Sequence, residues 1–499
     1  MRNATLLALF TLLIPLSAAE NTWLPASAQK LPRWRGFNLL EWFNVGNAQA
    51  FREEDFKLIK ELGFNFVRIP MDYRIWITDG DWEQINEEKF AELDQAVKWG
   101  EQYGLHVSLN FHRGPGYTVA QPPEPKVLWT DADAQRVCAK HWAFVAKRYR
   151  GIPNERLSID LLNEPANVES GVYAAAAKLL IAAIRAEDPA RLIISDGLDW
   201  GKKPCFELVA ANVAQATRGY APFEVTHFRA DWVEGWEKMA PPAWPMPRVA
   251  GVMGGPGKPA MNMPLRVDGP FTTAAKLRLR VGTVSDRGNL IVKADGKPLW
   301  EHAFICGPGD GEWAEAIFVA EYKIHQNRYD RDYVVDIPVG TQAVTVENTT
   351  GDWLSLREIG IAIAGTREAV APTTGEWNEP PGVLRLTTPD NGNPMLTSTG
   401  GRDRDWLWRT AILPWKELEG KGVGVMVGEW GAFDQTPHDI TLRWMEDCLI
   451  NYQTAGWGWA LWNFRGGFGP LDSNRSDVIY EDWKGHKLDR KMLELLQRY

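Results

Sequence analysis

The order of short apolar runs and longer amphipathic segments constrains this chain more than any other feature. Six strand-like runs, "WRGFNLL", "FNFVRIP", "LHVSLNFH", "LSIDLLNEP", "RLIISDG" and "FEVTHF", arrive before residue 230. Between them lie helical stretches such as "REEDFKLIKELG" and "EEKFAELDQAVKWGEQYG", each closing on a glycine of the kind that ends a helix. This alternation predicts parallel strands joined by crossover helices. Two more runs, "GVGVMVGEW" and "GWGWALWNF", flank the helical "TLRWMEDCLINYQTAG" near the C-terminus and bring the strands to eight. The expected fold class is α/β, a (β/α)8 TIM barrel.

The sixth and seventh runs are separated by roughly 195 residues, where one barrel repeat needs about 30 to 45. An insertion is therefore expected between strand 6 and strand 7. From residue 243 the texture becomes alternating strands with Gly, Pro and Asp-Gly turns, such as "AKLRLRVGTV" and "GNLIVKADGKPLW", which predicts a β-sandwich. The division that follows is barrel over 20–242, inserted sandwich over 243–399 and barrel again over 400–499. Residues 1–19 form an apolar run behind Arg2, with small residues at Ser17 and Ala19, and predict a signal peptide and export. Its shortness and Pro15 argue against a membrane span, so no membrane is expected for the mature chain.

A net charge of −9 without long charged runs argues against a nucleic-acid partner. Four scattered cysteines with no Cys-x-x-Cys pair leave neither a disulfide framework nor a zinc site indicated, and no cofactor or metal is expected. Tryptophan stands out instead: the chain has 25, more than a core needs, and flat aromatic faces suit the C–H faces of sugar rings. Trp42, Trp76, Trp200, Trp232 and Trp236 are candidate sugar platforms or packing residues.

Asn-Glu-Pro occurs twice, at 163–165 and at 378–380. The first copy follows the buried-type run Leu157–Leu162, which puts Glu164 at a strand end on the catalytic face of a barrel, whereas the second lies in loop texture. Glycosidic cleavage needs a second carboxyl across the sugar. Glu429, closing the strand-like "VGVMVGEW", is the candidate.

With these residues in place the sequence resembles glycoside hydrolase family 5 of clan A, the group that contains many cellulases. The resemblance rests on Arg68 in "VRIP", His112 after the third run, Asn163-Glu164-Pro165, His227 in "VTHF", Glu429 in "GEWG" and Trp462 in "ALWNF". It implies that Glu164 is the acid/base and Glu429 the nucleophile of a retaining double displacement. It further implies that Asn163 binds the sugar 2-hydroxyl, Trp462 floors the sugar site and Arg68 orients Glu429. One departure stands against the family pattern: relatives carry a Tyr two residues after the sixth-strand His, where this chain has Arg229. The implied activity is a secreted endo-β-1,4-glucanase acting on polysaccharide, its sandwich resembling a carbohydrate-binding module. A β-mannanase and an exo-acting β-glucosidase or β-1,3-glucanase are the alternatives, and a non-catalytic carbohydrate-binding protein is the competing class.

Overall fold

The computed structural model describes residues 23–239, 242–388 and 392–499; residues 1–19, expected to be a signal peptide, lie outside them. A closed barrel is formed by β1 (Arg35–Asn38), β2 (Phe66–Asp72), β3 (His106–Arg113), β4 (Leu157–Asp160), β5 (Ile193–Asp196), β6 (Ala214–Gly219), β7 (Val425–Trp430) and β8 (Trp459–Leu461). Every neighbouring pair is parallel, and β8 closes on β1 through Arg35 opposite Trp459. Helices α1 (Glu53–Glu61), α2 (Phe90–Tyr103), α3 (Ala132–Arg148) and α4 (Ser170–Glu187) cross between the first five strands. Their ends follow local chemistry. Asp131 caps α3 by accepting the Asp133 and Ala134 amides, and Gly104 stops α2 at φ 67°, a conformation that costs glycine little.

The sixth strand differs from the sequence expectation. "FEVTHF" is not a strand: Phe223–Thr226 forms a single helical turn behind Pro222, and β6 is the preceding "AQATRG". This segment has almost no β-branched or aromatic character, because its partners supply the bulk. Ala214 and Ala216 belong to the small cluster at the base of the barrel lumen with Phe66, Ile194, Met426 and Ala460. Side chains two apart on a strand share a face, so the next lumen positions are Arg68 on β2, Asp196 on β5 and Arg218 on β6. An apolar layer is thus capped by a charged one.

Between β6 and β7 lie two six-stranded sheets. One is centred on Ala275–Ser285, flanked by Ile324–Ile337 and Trp353–Ile363, and the other contains Arg287–Ala294, Lys297–Ile305 and Ala343–Gly351. Leu277, Leu279 and Val281 from the first sheet and Leu290, Val292 and Val346 from the second share one buried cluster, so the pair is a sandwich. The chain returns through a helix over 404–419, α5, whose middle is a π-turn at Trp408–Ile412, and the barrel ends with α6 (His438–Ala455) and α7 (Arg490–Arg498).

The sandwich is fastened beside the start of α6. Arg367 makes a two-pronged ion pair with Asp439, Arg402 reaches Glu224 at 3.1 Å, and Trp244 on the outgoing link donates to Asp447 at 3.0 Å. A cavity of about 170 Å³ remains between Trp244, Val370, Leu396, Ile440 and Arg443. The second Asn-Glu-Pro lies in this insertion as a loop, with Asn378 at φ 61° and Glu379 paired to Arg248. Among the described residues no helix is long and apolar enough to cross a membrane, and all four cysteines are free.

Candidate active site

The charged layer at the top of the lumen is built on two guanidinium groups. Arg68, only 1% exposed, donates from Nε to Asp160 at 2.7 Å, from Nη1 to Asn38 at 3.0 Å and Glu429 at 3.2 Å, and from Nη2 to Asn163 at 3.1 Å. Arg218 donates from Nε to Glu164 at 3.0 Å, lies 3.8 Å from Glu429, and spends its two Nη groups on Asp196 and Asn163. Four carboxylates therefore converge on two cations in a buried space, and the cluster is short of positive charge. The proton affinities reflect this. Burial and then Asp196 push Asp160 up to about 7, while burial and then Glu429 push Glu164 up to about 8.

Glu164 sits beyond β4 with φ 52°, a left-handed conformation that costs a non-glycine residue roughly 1–2 kcal/mol. Both sides of its backbone are held. Its amide donates to Asp196 at 2.9 Å, and its carbonyl accepts the Tyr117 hydroxyl at 2.7 Å. Glu429 is placed differently, by a bulge in β7: Val427 pairs with Thr217 and Glu429 with Arg218, so Gly428 is the extra residue. A side chain there would meet Arg218 Nη1 at 3.0 Å and Ala216 at 3.1 Å, which explains the glycine inside an otherwise apolar strand. The Tyr220 hydroxyl donates to the second Glu429 oxygen at 2.8 Å, and burial with the nearby carboxylates keeps that phenol protonated.

Arg68, Asn163, Glu164 and Glu429 are thus brought together. His112 joins them through the Asn163 amide at 3.4 Å, and burial beside three arginines keeps the imidazole neutral. Trp462 lies half-buried next to His112, with Phe43 edge-on to its ring at 5.4 Å. His227 falls outside this group. It stacks on Phe223 at 4.2 Å, bonds Thr226, and touches the centre only through the Tyr220 ring at 5.1 Å. The expectation that Arg229 stands where relatives carry a tyrosine is overturned for the same reason. Arg229 is exposed and lies over Phe228, whereas the phenol that meets Glu429 is Tyr220, two residues past Arg218. The departure from the family pattern lies at Arg218, which occupies the place expected for the sixth-strand His.

Sequence reasoning missed Arg218, Tyr220, Asp160 and Asp196. The signal lay in strand parity: once Ala214 and Ala216 are seen as lumen residues, Arg218 must follow them. Of the tryptophan candidates, Trp42 and Trp76 are buried core and Trp236 is half-buried, while Trp200 and Trp232 remain exposed at 38% and 57%. Trp200 stands beside the Glu164 loop, its amide donating to Pro165, in a turn where it and Asp199 both have positive φ. Trp232 packs edge-on against Phe433 at 4.7 Å.

Residues 24–222 match the family model for cellulase, glycosyl hydrolase family 5. Endoglucanase C of Acetivibrio thermocellus is 29% identical over 210 residues, which cover 40% of this chain and 61% of that protein's length. A crystal structure of a glycoside hydrolase superposes with a TM-score of 0.60 at 24% identity, covering 93% of this chain and 99% of that one. Thermotoga maritima Cel5A, solved in complex with mannotriose, superposes with a TM-score of 0.53 at 17% identity, covering 93% and 97%. The matched segment supplies the first six strands of the closed barrel, and over that segment the chain is similar to glycosyl hydrolase family 5.

Proposed function

We propose that this chain hydrolyses β-linked glucan with retention of configuration, acting as a secreted endo-β-1,4-glucanase on polysaccharide. The observation that carries the reading is the joining of Glu164 and Glu429 through one Arg218 nitrogen. The two oxygens it touches are at most about 7 Å apart, which admits the roughly 5–5.5 Å of a retaining pair. Glu429, steadied by Arg68 and Tyr220, attacks the anomeric carbon while Glu164 gives its proton to the leaving oxygen. Water then loses a proton to Glu164 as it attacks the same carbon and frees Glu429. The raised proton affinity of Glu164 supports the first half of this cycle, since the group must enter protonated near neutral pH. Asn163 and His112 face the sugar hydroxyls beside Trp462, and Trp200 and Trp232 offer faces to neighbouring sugars.

Wild-type enzyme should release β-configured reducing sugar first from a β-glucan, followed by proton NMR of the fresh product. Viscosity of carboxymethylcellulose should fall ahead of reducing-end release. An α-configured first product would reject retention, and proportional viscosity loss would reject endo action. Faster turnover of β-mannan than of glucan would move the assignment to mannanase, a substrate class that the mannotriose complex of Cel5A brings to mind.

The sandwich is proposed to bind carbohydrate as a module of its own, and the signal-peptide run to export the chain. Met246 and Arg402 exchange two backbone hydrogen bonds at 2.8 Å, so residues 247–401 can be replaced by a two-residue turn. The shortened enzyme should lose about 5-fold or more on insoluble polymer and less than about 2-fold on an aryl cellobioside, because remote binding matters only to substrates long enough to reach it. Equal losses on both substrates would assign the insertion a structural role instead.

A further inference from the structure

We propose that Arg218 decides which oxygen of Glu164 carries the proton. The inference rests on the assignment of Glu164 as acid/base, and makes Arg218 a positioning residue. Its Nε–H points at Glu164 Oε1 at 3.0 Å. An oxygen that already accepts an N–H from a permanently charged group cannot hold a proton in the same direction, so the proton of the acid form resides on Oε2.

Arg218 can do this because it cannot turn. Asp196 takes both Nη groups in a two-pronged pair, and the same carboxylate accepts the backbone amide of Glu164 at 2.9 Å. One aspartate thereby locks the acid/base residue's main chain and the group that faces its side chain. The carbon stem of Arg218 is pinned as well, since Gly201 leaves room for its Cγ where any side chain would come within 2.6 Å. Around Glu164 the charged or titratable groups are Glu429 from β7, Tyr220 and Arg218 from and after β6, Asp196 from β5 and Tyr117 from the loop after β3. Burial, Glu429 and Asp196 raise the proton affinity of Glu164, and Arg218 is the group that lowers it.

The chemistry balances on one atom in both halves of the cycle. In the first, the proton leaves Oε2 for the glycosidic oxygen as its bond to the anomeric carbon breaks and the Glu429 oxygen bonds that carbon. In the second, Oε2 takes a proton from water as the water oxygen bonds the anomeric carbon and the Glu429 ester bond breaks. Arg218 keeps Oε1 occupied throughout, so donor and acceptor are the same oxygen in the same place.

The test compares Arg218→Met and Arg218→Lys with wild type on β-cellobiosides whose leaving groups run from dinitrophenolate, which departs without help, to unactivated phenolate, which needs the proton. Loss of positioning should lower kcat/KM for the phenyl substrate by about 10²-fold more than for the dinitrophenyl one. In Arg218→Met the basic limb of the phenyl kcat/KM profile should move to higher pH, because a cation favouring ionised Glu164 is gone. Lysine should return the limb without returning the leaving-group selectivity, since it restores charge but no fixed Nε–H. Uniform losses across leaving groups would overturn the proposal. If Arg218→Met fails to fold around an unpaired Asp196, as judged by circular dichroism, the lysine variant carries the leaving-group test alone. Glu164→Gln run in parallel separates the two ideas. If it shows no leaving-group dependence, the acid/base assignment itself falls; if it does and the Arg218 variants do not, only the role of Arg218 falls.

Discussion

Glu429→Gly should lower kcat on a β-glucan by roughly 10⁵-fold, the scale on which removal of a covalent nucleophile acts, while azide restores turnover of dinitrophenyl β-cellobioside. Azide entering the space of the missing carboxylate attacks the anomeric carbon from the face opposite the leaving group, so the product should be the α-glycosyl azide. Gas or liquid chromatography with an anomeric NMR assignment reads both outcomes. The substitution should not damage the fold. It removes one of four carboxylates gathered around Arg68 and Arg218, so it relieves a negative excess rather than stranding a cation. Wild-type rates in this variant, or a β-configured azide, would reject Glu429 as nucleophile.

Arg68→Met should destabilise the protein by about 3–5 kcal/mol, since it leaves buried carboxylates without their counter-charge. Asp160 is the most exposed to this loss, because Arg68 Nε at 2.7 Å is its hydrogen-bonding cation and its other oxygen is buried without a partner. The pH dependence follows from the sign of its shift. Asp160 is raised in the folded protein to about 7, above the ordinary value of 3.8, so the folded state holds a proton that the unfolded chain has lost. Stability from this group is present below the ordinary carboxylate range and lost as pH rises through 7. Removing Arg68 takes away a group that lowers the Asp160 value, so the deficit should be larger at pH 8 than at pH 5 in urea unfolding. A deficit independent of pH would show that Asp160 is not the stranded group.

The strands that could be recognised in the sequence were those whose own residues carry the burial. β2, β3 and β7 are buried along their whole length and carry large apolar side chains of their own. β6 was missed because in a closed barrel the lumen volume is shared: Phe66 and Met426 fill it, so Ala214 and Ala216 can be small and the strand loses its signature. The next apolar run, Phe223–Phe228, reads as the strand instead and puts His227 and Arg229 at positions they do not hold. The places of Glu164 and Glu429 at strand ends do not depend on that run, because each is set by its own neighbours, a proline turn and a glycine bulge. Arg218 had no such flag. Its meaning depends on Asp196 and Glu164, which are 22 and 54 residues away and become neighbours only on closure.

The short backbone bridge between Met246 and Arg402 has a consequence for the entropy of closing the barrel. To close the barrel, β7 must find β6 across an excursion of roughly 200 residues, and the entropy of joining chain ends grows by about 0.6 kcal/mol per doubling of length. Once 246 and 402 are clasped, the free span shrinks to about 50 residues, two doublings less, which returns roughly 1 kcal/mol. The sandwich has a buried cluster of its own, while Met246 of the clasp packs against the barrel core. The clasp holds the two barrel segments at short range, so the insertion adds to barrel closure little more than a loop of that shorter span.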